Sequence, residues 1–165
     1  MITRIRRTAL GLVLAAMLSA PGCFCRRGPE PPVEKPPVLY PLCLEGSPRL
    51  NWYDGAAHTL YVRVFQLSTT DAFLQADPMK LLGAQVSLAG VEGAPVERTV
   101  FPGSKVAVEM RQHPDAAYLG VVAGYFNVVG SARVQRALPK PSDGKAKAPA
   151  CFVFGPNGIE TASTP

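Results

Sequence analysis

Residues 59–67 read TLYVRVFQL, and the alternation in this stretch decides the fold class. Leu60, Val62, Val64 and Gln66 fall on one side; Tyr61, Arg63, Phe65 and Leu67 fall on the other. That is the period of two of a β-strand. Just upstream, residues 48–53 also alternate, setting Leu50 and Trp52 against Arg49, Asn51 and Tyr53, and predict a preceding strand. Asp54-Gly55-Ala56-Ala57-His58 lies between the two, its Asp-Gly pair supplying turn chemistry. Downstream, strands are predicted over 85–88, 96–101, 105–110, 118–129, 132–137 and 151–154. The richest, YLGVVAGYFNVV (118–129), is apolar on both faces and is expected in the middle of a sheet, its glycines at bends or close contacts.

One segment departs from this rhythm. Ser68, Thr69, Thr70 and Asp71 offer helix-capping oxygens ahead of Ala72-Phe73-Leu74-Gln75-Ala76. Asp77-Pro78 then opens a second turn of helix that Gly83 ends. Short strands with one helical insertion at about 69–82 predict a mainly β chain folded as a two-sheet sandwich.

Ahead of the strands lies an address. Arg4, Arg6 and Arg7 precede an apolar run over 9–20. Its length suits a signal peptide and falls short of the ~20 residues that a membrane span needs. Leu18-Ser19-Ala20-Pro21-Gly22-Cys23 resembles a bacterial lipobox, with Ala20 where Leu is commoner and an unusual Pro21. The expectation is cleavage after residue 22 and lipidation of Cys23, whose thiol would accept diacylglycerol. Phe24 stands where Asp would favour retention in the inner membrane, so sorting points to the outer membrane, periplasmic face. Residues 23–41 carry the proline-rich RRGPEPPVEKPPVLYP and read as an extended tether. The expected organisation is a signal peptide at 1–22, a lipid-anchored tether at 23–41, a sandwich at 42–160 and a tail at 161–165. Residues 138–149 read as a polar, lysine-bearing loop.

The 165-residue chain has 17 basic and 12 acidic residues, a net charge of +5. Three arginines leave with the signal, so the remainder is nearly balanced and shows no basic footprint for nucleic acid. Of the four cysteines, Cys23 is assigned to lipid. Cys43 and Cys151 lie at the two ends of the domain, in an exported and disulfide-permissive setting. A bridge between them would close a loop worth up to about 4–5 kcal/mol in the chain-entropy model. A Cys25–Cys43 bridge and a pair of buried free thiols are the alternatives, and spacing alone does not choose among them.

Catalytic chemistry is sparse. His58 and His113 have no partner at metal-ligand spacing, no serine sits in a nucleophile elbow, and no glycine-rich loop is built to cradle phosphate. Asp71 and Asp77 are explained as helix caps. The sequence therefore predicts no enzyme, no metal and no cofactor.

Taken in order, these parts resemble the outer-membrane lipoprotein of the type VI secretion system, the TssJ/SciN-like family. The likeness is carried by the lipobox cysteine, Leu50-Asn51, the strand Val62-Arg63-Val64-Phe65-Gln66-Leu67 and the insertion Phe73…Asp77…Leu81-Leu82. It continues through Pro102-Gly103 and Tyr118-Leu119-Gly120-Val121-Val122-Ala123-Gly124-Tyr125-Phe126. The tether is longer and richer in proline than the usual pattern, and 138–149 is a long basic loop. The resemblance implies a transthyretin-like β-sandwich that moors the secretion machine by binding the periplasmic domain of a TssM-like inner-membrane protein. It also implies docking through the loop between the first two strands, here Tyr53, Asp54, Gly55, Ala56, Ala57 and His58. The competing reading is a free-standing periplasmic lipoprotein that binds a small ligand or carbohydrate.

Overall fold

The computed structural model describes residues 38–138 and 150–160. The stretches read as a signal peptide (1–22) and, up to residue 37, as a tether, together with Cys23, Cys25, residues 139–149 and the expected tail at 161–165, lie outside the described residues. The strands are β1 (Leu39–Gly46), β2 (Leu60–Leu67), β3 (Val91–Val100), β4 (Lys105–Arg111), β5 (Tyr118–Ala123), β6 (Arg133–Ala137), β7 (Ala150–Phe154) and β8 (Ile159–Glu160). The helices α1 (Asp71–Gln75) and α2 (Pro78–Leu82) lie between β2 and β3.

Two four-stranded sheets face each other, ordered β4-β1-β7-β8 and β3-β2-β5-β6. Neighbours are antiparallel except β1 and β7, which run parallel with Leu42 opposite Ala150 and Cys43 opposite Cys151. Between the sheets lies a core that includes Leu42, Leu44, Leu60, Val62, Val64, Leu119, Val121, Phe152 and Phe154. Each such side chain stabilises the fold by about 1.5–3 kcal/mol on burial.

The other face of β2 and β5 is not left to solvent. Phe65, Leu67 and Val122 pack there against Phe73 of α1 and Leu81 of α2. β2 is therefore buried on both sides, which is why its sequence is apolar at nearly every position. Gly120 on β5 admits this layer: a Cβ there would stand 2.8 Å from Phe73 Cζ and 2.9 Å from Leu67 Cδ1. Asp77 caps α2 by accepting a hydrogen bond from the Met79 N–H at 2.9 Å. Thr70, the residue ahead of α1, makes no side-chain cap.

Arg63 fastens the helical layer to the sheet. It is 3 % exposed, yet its guanidinium donates to the carbonyls of Leu81 (2.9 Å) and Gly83 and pairs with Glu97 on β3 at 2.9 Å. From β6, Arg133 likewise donates to the carbonyls of Phe73 (3.2 Å) and Ala76. Carbonyls at helix C-termini lack intrahelical donors, and two arginines from β2 and β6 of the same sheet supply them.

Three sequence expectations are corrected. The first strand is not 48–53 but β1, which begins at Leu39 inside the stretch read as tether. Residues 48–51 turn instead, with Asn51 at φ 45° and Asp54 at φ 49°, a left-handed backbone that breaks any strand. The run 118–129 is extended only as far as Ala123. Residues 85–88 are not a strand, and the following strand starts at Val91.

Candidate functional site

Several connections meet at one end of the sandwich. The β1–β2 connection (47–59) is sewn to the β7–β8 turn by Asn51 N–H to Gly155 O (3.3 Å) and Trp52 N–H to Pro156 O (2.9 Å). The β5–β6 loop (124–132) joins the same turn through the N–H groups of Val129 (3.1 Å) and Gly130 (3.2 Å), both donating to Asn157 O. The Tyr125 hydroxyl donates to Gly158 O at 2.7 Å, and burial beside the Glu160 carboxylate holds that phenol above its usual range. The β3–β4 turn closes on this end too, with Gly103 N–H donating to Ser47 O at 3.1 Å.

Within this framework Asn51 is the central tie. It is 6 % exposed; its amide donates to Thr59 O at 3.2 Å and its carbonyl accepts from the Phe126 N–H at 2.9 Å. The two loops are thereby held side by side. A tight turn follows, in which Tyr53 and Ala56 exchange both backbone hydrogen bonds around Asp54-Gly55.

Two of the expected docking residues, Tyr53 and His58, stack on one another. Tyr53 lies on His58 with centroids 3.7 Å apart and planes 13° from parallel, and on its other face meets Phe126 at 4.3 Å and 25°. His58 Nε2 lies 3.3 Å from Tyr53 O. Asp54, Gly55 and Ala56 are exposed at the tip, while Tyr53, Ala57 and His58 are half-buried. Arg49 sits over the Trp52 ring at 4.7 Å on the approach to this turn. Stacked rings of this kind present a large stiff surface at small entropic cost on binding.

Sequence reasoning missed the second half of the site. Phe126 (67 % exposed), Val128 and Val129 (82 %) project from the β5–β6 loop next to the stack. Their apolar character had placed them in a core strand; their true setting is a surface held rigid by its backbone hydrogen bonds. Beside them an open groove of about 410 Å³ runs between the loop and α2, lined among others by Met79, Leu82, Val128 and Arg133.

Elsewhere, Glu92, His113 and Asp115 bring their side chains within 4.8 Å of one another at a partly exposed corner. His113 Nδ1 lies 3.6 Å from Glu92 and 3.9 Å from Asp115, and the corner is fixed by His113 N–H donating to Gln66 Oε1 at 2.7 Å. This cluster sits beside β4, and the Asp115 N–H donates to His113 Nδ1 at 3.3 Å. Cys43 and Cys151 face each other as free thiols.

The described residues thus form a small β-sandwich with exposed rings and valines on loops at one end. A family model described as "Type VI secretion lipoprotein, VasD, EvfM, TssJ" matches residues 40–150, well over half of the chain, and the chain belongs to that family. Among solved structures, the T6SS lipoprotein TssJ1 from Pseudomonas aeruginosa is 23% identical, with 79% of this chain and 98% of that one covered and a TM-score of 0.64. Serratia marcescens Lip, described as a membrane bound component of the type VI secretion system, is 23% identical over 78% of this chain and 99% of its own, at a TM-score of 0.61. A chain in a structure described as the TssM C-terminal domain (869–1107) from EAEC is 21% identical over 76% and 98%, at 0.62. At these identities the likeness shows the β-sandwich fold, which agrees with the sequence expectation. The comparison with curated proteins returned no match.

Proposed function

We propose that this protein is an outer-membrane lipoprotein, acylated at Cys23 and facing the periplasm, that moors the type VI secretion membrane complex. Its partner is the periplasmic domain of a TssM-like inner-membrane protein. The docking surface is the loop Tyr53, Asp54, Gly55, Ala56, Ala57 and His58. It acts by binding and not by catalysis. Family membership supports the setting, and the relative whose structure is described by the TssM C-terminal domain supports the partner. The observation that carries the reading is the Phe126–Tyr53–His58 stack at a loop end tied down by Asn51.

The mechanism is mechanical. Acyl chains contribute about 0.8 kcal/mol per buried methylene, and several chains make a lasting anchor where one does not. The tether gives reach at roughly 3.1 Å per residue when extended. A preorganised loop then meets its partner without an ordering cost, and many tethered copies raise the effective concentration of the contact.

The test is calorimetric titration of the chain from Cys23 onward, with Cys23→Ser, against the periplasmic domain of the TssM-like protein from the same genome. Saturable one-to-one binding, weakened at least tenfold by Tyr53→Ala with Asp54→Lys at unchanged melting temperature, is expected. Absence of binding by the folded protein overturns the mooring role and leaves a free-standing lipoprotein.

A further inference from the structure

Sequence spacing left the pairing of Cys43 open, and the strand register bears on it. β1 and β7 run side by side and parallel, and Cys43 lies directly opposite Cys151. Neighbouring strands stand about 4.8 Å apart, inside the range of Cα separations that a disulfide spans. Both side chains point away from the sandwich core, since the alternating residues Leu42, Leu44, Phe152 and Phe154 point into it. The two thiols therefore share one face of one sheet, with Cys43 buried and Cys151 half-exposed. On the other flank Cys43 faces Ala107 of β4.

We infer that Cys43 and Cys151 are a covalent cross-link site, joined by a disulfide that fastens β1 to β7. The oxidant is a disulfide donor of the thiol-exchange class, either a protein dithiol carrier or oxidised glutathione. The donor meets Cys151 first, because that sulfur is the accessible one. Deprotonated Cys151 attacks one donor sulfur, the donor's S–S bond breaks, and the departing sulfur takes up a proton. A mixed disulfide remains on Cys151. Cys43 then loses its proton and attacks the Cys151 sulfur, expelling the second donor thiol. Two cysteine thiols become one disulfide, and the donor gains two electrons and two protons.

Burial and the neighbouring Cys151 thiol push Cys43 up to about 11, which lowers its thiolate fraction, so Cys43 reacts only once the mixed disulfide on Cys151 is held directly beside it. The bond would tie the first strand to the strand that follows 139–149, so a cut in that loop would leave the two pieces joined. Nothing in the inference depends on the mooring role; it rests on strand register alone.

Trypsin separates the relevant cysteines: Cys43 falls in peptide 28–49, Cys151 in 148–165, and Cys25 in a third. The full chain, purified in detergent, is incubated with oxidised glutathione, alkylated and digested without reduction. The expected product is the linked pair 28–49 with 148–165. In addition, reductant should lower the denaturation midpoint of the wild type and leave that of a Cys43→Ala, Cys151→Ala variant unmoved. Recovery of both peptides as alkylated free thiols overturns the inference, as does a dominant link from Cys25 to Cys43. A variant that fails to fold leaves the peptide result on the wild type to decide the matter.

Discussion

The Asn51 side-chain carbonyl accepts the Phe126 backbone N–H at 2.9 Å across a separation of 75 residues. One buried amide thus holds the β1–β2 connection against the β5–β6 loop and keeps Phe126 within stacking distance of Tyr53.

Asn51→Ala should cost about 1–3 kcal/mol, the range for leaving buried polar groups without partners. Faster hydrogen exchange at the Phe126 amide, together with weakened partner capture, is the expected pair of readouts. An unchanged exchange rate would show that the loop is held by its Asn157 contacts alone.

Phe126→Ala removes a ring that is mostly in water, so its stability cost is limited to stacking, about 0.5–1.5 kcal/mol. Partner affinity should fall by at least tenfold, since the ring stacks on Tyr53 of the proposed docking surface. Titration and thermal melting of the same variant separate the two effects.

Arg63 and Glu97 form one ion pair with unequal stakes. Arg63 is 3 % exposed and its partner's side chain 50 %. Arg63→Met should cost about 2–3 kcal/mol by stripping the α2 carbonyls of a charged donor. Glu97→Gln should cost less than about 1 kcal/mol, as exposed partners do. Urea unfolding of the two variants checks the asymmetry.

Gly120→Ala would drive a methyl against Phe73 and Leu67, with an overpacking cost of about 1–3 kcal/mol. Phe73→Leu combined with it should recover part of the loss. A double-mutant cycle in urea gives the coupling, and strict additivity would mean that the helical layer yields instead of the ring.

Cys23→Ser should leave folding intact and abolish membrane fractionation of the exported chain. Retention in the membrane fraction would count against acylation at that residue.

The sandwich class was legible in TLYVRVFQL because β2 is an interior strand whose two faces are read by alternate residues. The insertion was legible too, since Asp77-Pro78 and Gly83 punctuate it locally. β1 was hidden by its prolines. Pro41 lies opposite Glu109 of β4, one residue ahead of Leu42, the first residue described as paired with β7, and proline is rare inside strands. The strand thus shares its composition with the tether before it. Residues 124–129 misled for the opposite reason: apolar side chains normally forecast burial, and here Phe126, Val128 and Val129 face water. Within the candidate site, Tyr53 and His58 were anticipated through the family resemblance. Their stacking on Phe126 was not, because nothing local in either loop announces the other.

β1 also sets an order on how the molecule comes into being. It is made first among the strands, yet it lies between β4 and β7, and its parallel neighbour is supplied more than a hundred residues later. Contacts of such long range slow folding, because the connecting chain must be closed before they repay its entropy. A nascent chain therefore holds an unfinished sheet until its last strands arrive.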